Sequence, residues 1–209
     1  MRFYDNLLGH DLKDPSLKLN SRGHRCKDIE DVNLHNYILF AGDNVALDYN
    51  LPIEKTYPYL ISQQLNTDYY NLSIFNGGLD SVKYNLLTWF SKYPKPKCVV
   101  INTEFLNSIL VCLDIGEEIK VADYNDPSIQ QIMVAGEKVG LFFAKRKLAE
   151  NVLRHTINVP IYQISFKDKM SLFTDGVTNV DHTGNIFDHE LITNEFLRSY
   201  QNIRAKILP

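Results

Sequence analysis

Three short polar clusters follow apolar runs in this sequence, and their residue types can bind or polarise a carbonyl group. The clusters are Gly42-Asp43-Asn44, Asn76-Gly77-Gly78 and Asn102-Thr103-Glu104, and a later loop adds Asn179-Val180-Asp181-His182-Thr183-Gly184. His182 is the candidate base, with Asp175 or Asp181 orienting its other ring nitrogen. The backbone N–H groups of Asn44 and Gly77 are candidate donors to a developing oxyanion.

Alternating strands and helices are predicted to hold these clusters. Short apolar runs predict strands over residues 37–40, 69–75, 98–101 and 160–166. Helical spacing predicts helices over 54–65, 79–93, 127–155 and 186–207, with irregular segments at 114–126 and 167–185. His189 is expected on the closing helix as a solvated or capping residue.

This order predicts an α/β protein with three layers, a parallel sheet with helices on both faces. Residues 1–36 carry many charges and little periodicity, so they are expected to form an extended arm packed on a single domain, 37–209. In such a sheet the carboxyl ends of the strands share one edge, which is where ligands bind.

Composition excludes several classes of protein. The chain has 209 residues and a net charge of -3, which does not favour nucleic-acid binding. No apolar run is long enough to span a bilayer, and the first residues lack the pattern of a signal peptide, so a cytoplasmic location is expected. No phosphate-binding glycine loop or metal cluster is present in the sequence pattern, so no cofactor is expected.

The motifs together resemble the SGNH, or GDSL, hydrolases, a superfamily of esterases and acyl hydrolases. The family's strand followed by Gly-Asp-Ser is similar to Phe40-Ala41-Gly42-Asp43-Asn44, and its second block is similar to Asn71-Leu72-Ser73 with Gly77-Gly78. The segment Asn20-Ser21-Arg22-Gly23-His24-Arg25 looks like an arm that precedes the catalytic domain in relatives. The resemblance implies a flavodoxin-like fold and an ester substrate.

The departures from the family pattern fall on the catalytic positions. Asn44 occupies the position of the nucleophilic serine, and its amide nitrogen is not a serine-like nucleophile. Thr103 stands near the third-block Asn, where its hydroxyl could donate to an oxyanion. Asn179 occupies the position of the acid three residues before His182, although an alignment with a short insertion would place Asp175 there instead.

Three functions follow as hypotheses. The first is a catalytically degenerate hydrolase-like protein that binds an ester or acylated glycan, or has a structural role, including one in a virion. The second is a working esterase that uses Ser73, Ser81 or a water activated by His182 and Asp181. The third is a protein-interaction module in which the apolar helix over 127–155 binds a second copy or a virion partner.

Overall fold

A computed structural model describes most of the chain. The described residues are 7–9, 17–75, 77–102, 108–112, 119–123, 151–153, 155–166, 176–180 and 188–207. Of the predicted helix over 127–155, only 151–153 and 155 fall within these ranges, and those residues are helical.

A five-stranded parallel sheet forms the centre of the fold. Its strands are β1 (Tyr37–Ala41), β2 (Asp68–Asn71), β3 (Val99–Asn102), β6 (Ile161–Phe166) and β7 (Gly176–Val180). They lie in the order β2-β1-β3-β6-β7, and every neighbouring pair is parallel. Renumbered within the sheet, this is the flavodoxin-like order 2-1-3-4-5. The predicted three-layer α/β/α fold is confirmed.

Helices cover both faces of the sheet. They are α1 (Asn44–Leu47), α2 (Tyr57–Gln64), α3 (Leu79–Lys92) and α4 (His189–Ile207). Alternate side chains of β1 face opposite ways. Tyr37 therefore meets Trp89 of α3, and Phe40 meets Tyr57 of α2. Helix α4 packs beside α2 and against β7.

The strand β1 is apolar and lies between the two helical layers. All five residues of β1 are buried, as expected for a strand near the middle of a sheet covered by helices on either side. The buried core continues through the aromatic residues of α3, where Trp89 Nε1 donates a 2.9 Å hydrogen bond to the Tyr37 hydroxyl. The polar cluster at residues 42–44 begins directly after the last buried residue of β1.

The sequence-based prediction missed three strands. Residues 108–112 and 119–123 form an antiparallel hairpin, β4 (Ser108–Cys112) and β5 (Ile119–Asp123), so part of the predicted irregular segment 114–126 is a strand. The predicted loop 167–185 contains β7, which pairs with β6 in the register Ile164↔Thr178. Backbone pairing at the sheet edge overrides the weak strand propensity of Gly176 and Asn179.

Amide side chains bond the described part of the N-terminal arm to strand β2 and to helix α3. Asn20 Nδ2 donates to the Tyr70 hydroxyl at 3.1 Å, and its Oδ1 accepts the backbone N–H of His24 at 2.9 Å. Asn85 makes a two-way amide contact with the backbone of Leu8, at 2.7 and 3.0 Å. The division of the chain at residue 36 stays a prediction. None of the helices in the described ranges combines the length and apolarity needed to cross a membrane.

Candidate functional site

The site begins where β1 ends at the carboxyl edge of the sheet. Asp43 is fully buried and caps α1, because its Oδ1 accepts the Val45 N–H at 3.1 Å. Asn44 is the first residue of α1 and is partly exposed. The turn therefore buries Asp43 and leaves Asn44 partly exposed, at the position where the family resemblance places a nucleophile.

Asn102 is the last residue of β3, the strand on the other side of β1 from β2. Its side chain connects Asp43, at the end of β1, with Tyr57 of α2. Its Nδ2 donates a short hydrogen bond to Asp43 Oδ1. Its Oδ1 accepts from the Tyr57 hydroxyl at 3.1 Å and from the Asp43 N–H at 3.4 Å. Strand order reverses between β1 and β3, which is the point where open α/β sheets bind ligands. A buried polar network thus lines that point.

Gly42 makes this close approach possible. A Cβ on Gly42 would lie 1.7 Å from Asn102 Oδ1 and 2.5 Å from its Cγ. Because no side-chain carbon can occupy that space, the glycine is required for Asn102 to reach Asp43.

Gly77, six residues after the end of β2, lies against the same turn. Its N–H donates to the Ile74 carbonyl at 3.0 Å, while the Ile74 N–H donates to the Gly42 carbonyl at 3.2 Å. A Cβ on Gly77 would lie 2.5 Å from that Gly42 carbonyl oxygen. A ligand oxygen would therefore have to share the Gly77 N–H with Ile74, or displace it.

His189 forms a second buried cluster, and its prediction as a solvated or capping residue is wrong. It is 3% exposed, and its ring stacks on Tyr57 with centroids 5.7 Å apart. Nδ1 accepts the Tyr57 backbone N–H at 2.9 Å, so the proton of the neutral ring lies on Nε2, which contacts Asp48 Oδ2 at 3.0 Å. Burial lowers the pKa of His189, and this outweighs the opposing effect of Asp48.

Asp48 has an unusual backbone conformation. Its carboxylate contacts His189 and its carbonyl accepts from Arg25. Its φ is 26°, in the left-handed region that residues other than glycine seldom adopt. Arg25, from the arm, is 5% exposed and donates short hydrogen bonds to the carbonyls of Leu47, Asp48 and Leu51. The arm, the loop after α1 and the closing helix therefore meet at Asp48. We expect these contacts to fix the position of α1, and therefore of Asn44, its first residue.

We predict that His189 makes the fold less stable in mild acid. Because the folded-state pKa is lowered, the contribution of His189 is complete above the unfolded value of about 6.5. It is lost as pH falls below that value, since the unfolded chain then binds the proton more readily. Urea unfolding at pH 7.5 and 5.5 should show a larger loss of stability for the native chain than for His189→Gln.

The exposed His35 supplies the control for this comparison. His35→Gln should keep the pH dependence of the native chain, because it replaces an exposed residue and leaves His189 and its contacts unchanged. Equal pH dependence of the native chain and His189→Gln would contradict the buried, neutral state assigned to His189.

Several predicted site residues lie outside the described residues: Thr103, Asp175, Asp181 and His182. Asn179 lies in β7, opposite Ser165 in the parallel register. Of the predicted site residues, the structure brings Asn44 and Gly77 to one edge. In the described ranges, no three His, Cys, Asp or Glu side chains gather as a metal-ion site.

The two serines considered as substitute nucleophiles are both buried. Ser73 is 0% exposed, and within the described part of the chain its Oγ has no hydrogen-bond partner. Ser81 is 2% exposed, and its Oγ donates to the Gly78 carbonyl at 2.7 Å. Neither hydroxyl is presented to a substrate in this conformation.

No family model matches this sequence, and neither does any curated protein. Among solved structures, a carbohydrate esterase family 2 enzyme with a carbohydrate-binding domain from Corynascus thermopiles (Myceliophthora fergusii) is similar, with a TM-score of 0.47 and 13% identity. The match covers 82% of this chain and 66% of that one.

A family two carbohydrate esterase from Clostridium thermocellum, in complex with cellohexaose, has a TM-score of 0.47 and 15% identity over 84% of this chain and 65% of that one. A psychrotrophic esterase from Pseudoalteromonas sp. has a TM-score of 0.38 and 13% identity over 81% of this chain and 74% of that one. The chain thus spans just under two thirds of the length of either carbohydrate esterase. The fold assignment rests on the strand order of this chain itself.

Proposed function

We propose that this chain is a hydrolase-like protein that binds an ester or an acylated glycan at the carboxyl edge of its sheet without hydrolysing it. The observation that carries the proposal is the position of Asn44. It follows the strand, Gly42 and the buried Asp43, is the first residue of a helix and is partly exposed. That position is where the SGNH resemblance requires a serine.

The chemistry of Asn44 favours binding over catalysis. The lone pair of an amide nitrogen is delocalised into the carbonyl, so no neighbouring base can make it a nucleophile. The same amide has two donors and an acceptor, which suit an ester carbonyl and a sugar hydroxyl. Asn44 therefore has an amide that can bind a ligand where the family has a nucleophilic serine hydroxyl.

The surroundings of Asn44 support a site that is assembled rather than collapsed. Asp43 and Asn102 form a buried pair with donors matched to acceptors, and Tyr57 adds a further hydrogen bond to Asn102. A half-satisfied polar network at this depth would destabilise the fold, so the pairing favours one defined geometry. We infer that the ligand-facing part of the edge keeps a fixed shape.

We predict that Asn44→Ser introduces esterase activity. On short acyl nitrophenyl esters, its turnover should exceed that of Asn44→Ala by about tenfold or more, as expected when a hydroxyl takes the position that the resemblance gives to the nucleophile. The native chain should behave like Asn44→Ala. Adding His182→Ala to the serine variant should remove the gain, because the hydroxyl then lacks its base.

Two results would count against this proposal. Turnover by the native chain that His182→Ala abolishes would identify a working hydrolase with another nucleophile or an activated water. Equal background rates for Asn44→Ser and Asn44→Ala, with both variants folded, would contradict an assembled ester site.

A further inference from the structure

A closed hydrogen-bond network runs from one end of α1 to the other and passes through His189. At the C-terminal end of α1, the Asp48 N–H donates to the Asn44 carbonyl at 2.8 Å. Asp48 Oδ2 contacts His189 Nε2 at 3.0 Å, and His189 Nδ1 accepts the Tyr57 N–H at 2.9 Å. His189 therefore links the end of α1 to the start of α2.

The closed network returns to the start of α1 through side chains at the strand ends. The Tyr57 hydroxyl donates to Asn102 Oδ1 at 3.1 Å, and Asn102 Nδ2 donates to Asp43 Oδ1. Asp43 caps α1 by accepting the Val45 N–H at 3.1 Å, and it directly precedes Asn44. Both ends of α1 thus belong to the same network, and so does Asn44, its first residue.

One contact in the closed network requires the neutral form of His189. Nδ1 can accept the Tyr57 N–H only while it carries no proton, because a protonated imidazole has two N–H donors and no acceptor. The contact with Asp48 and the stacking on the Tyr57 ring both tolerate a cation. Protonation would therefore place two donors against each other at Tyr57, the first residue of α2, where this contact is buried.

The charges that face His189 come from the arm, the loop after α1 and the residue before α4. Burial lowers the pKa of His189, and this outweighs the carboxylates of Asp48 and Asp188, which favour the cation. Arg25, from the arm, acts in the same direction as burial. The ionisable side chains of α2 are tyrosines, and β7 has none. The imidazole is therefore neutral at pH 7.5 and gains its second proton in acid.

We propose that His189 is a positioning residue for Asn44 and that its protonation loosens the ligand site. In the neutral form the closed network fixes both ends of α1. In the imidazolium form the Tyr57 N–H loses its acceptor, so the start of α2 moves away from α4 and the Tyr57 hydroxyl is displaced from Asn102. The site is therefore assembled at neutral pH and weakened in mild acid. This inference names a regulation of the same site and rests on the proposed function for its ligand.

The test follows the native chain by NMR from pH 7.5 to the end of the His189 titration. The backbone cross-peaks of Tyr57 and Asn44 should shift with one midpoint, below about 6.5, that the imidazole nitrogens of His189 share. At pH 7.5 the imidazole should carry its proton on Nε2. His189→Asn keeps an amide oxygen near the Tyr57 N–H but does not ionise, so its Asn44 cross-peak should not move over this range. His35→Gln is the matched control and should titrate like the native chain.

Covalent trapping of Asn44→Ser with a fluorophosphonate ester reports the same change at the site itself. The labelling rate should fall as pH passes the midpoint of His189. The fall should be about fivefold larger than in Asn44→Ser combined with His189→Asn, the scale of one buried donor left unpaired. The combined variant corrects for any other base that is protonated in acid.

Two outcomes would overturn the inference: an Asn44 cross-peak that does not follow the His189 titration, and a neutral imidazole whose proton lies on Nδ1. The proposed function fails separately. If Asn44 follows His189 but Asn44→Ser is not labelled at any pH, the positioning role stands and the ester site is contradicted. If Asn44→Ser is labelled and His189→Asn leaves its pH dependence unchanged, the ester site stands and the regulation is contradicted.

Discussion

Replacing Gly42 with alanine should destabilise the fold by about 3 kcal/mol or more, the upper range for overpacking a buried site. The new Cβ would lie 1.7 Å from Asn102 Oδ1 and 2.9 Å from the Asn102 carbonyl oxygen. Asn102 is 1% exposed and bonded to both Asp43 and Tyr57, so it cannot move aside without breaking those contacts. Urea unfolding at pH 7.5 would measure the loss.

The clash itself can be isolated with a double-mutant cycle. In an Asn102→Ala background the Oδ1 and Cγ atoms are gone, so Gly42→Ala should cost clearly less than it does in the native chain. Equal costs in the two backgrounds would show that the side chain of Asn102 is not the obstacle. Such a result would contradict the close approach of the two strand ends.

Removing the Asn102 amide should have the second large effect. Asn102→Ala takes away the Nδ2 donor of the buried Asp43 and the Oδ1 acceptor of the Tyr57 hydroxyl. Asp43 would keep the Val45 N–H. The loss of the Asn102 hydrogen bond to Asp43 and of the buried acceptor of the Tyr57 hydroxyl should together cost about 3 kcal/mol, since each such loss costs about 1 to 3 kcal/mol. The free energy of unfolding measured in urea should fall by that amount.

Tyr57→Phe provides the matched control for this second prediction. It removes only the hydroxyl that donates to Asn102 and keeps the ring that stacks on His189. Its cost should be about 1 kcal/mol, the usual value for one neutral hydrogen bond. If Asn102→Ala cost no more than Tyr57→Phe, the Asp43–Asn102 pair would not organise the site as described.

Much of the sheet could be read from the sequence because its signals are local. The run before Gly42 is apolar throughout, so a buried strand and its end were both predictable, and β1 ends one residue later than expected. The third and fourth predicted strands likewise match β3 and β6 to within one residue. A continuous apolar run predicts a strand that is buried on both faces, even when its partner strands are not known.

The missed strand β7 and the shortened β2 depend on their neighbours instead. β7 contains Gly176 and Asn179, which have low strand propensity. It forms a strand because its backbone pairs with that of β6 at the edge of the sheet. The second strand was predicted to reach Phe75 but ends at Asn71. Beyond Asn71, the Ile74 N–H still donates to the Gly42 carbonyl, so the chain stays beside β1 without strand geometry.

The polar core of the site was largely beyond sequence reasoning. His189 lies 141 residues from Asp48 and 132 from the Tyr57 N–H that it accepts, so no local pattern links them. Asn102 carried one usable signal: it is an amide directly after an apolar run. The family alignment drew attention to Thr103 instead, one residue further along.

The most direct test of the central claim is covalent trapping with a fluorophosphonate ester, read by intact-protein mass spectrometry and peptide mapping. This reagent reports a hydroxyl activated within a carbonyl-binding site, whatever the natural ligand. We expect a single adduct at position 44 in Asn44→Ser and none on the native chain or on Asn44→Ala. Labelling of the native chain, or an unlabelled but folded Asn44→Ser, would contradict the account of an assembled site that lacks only its nucleophile.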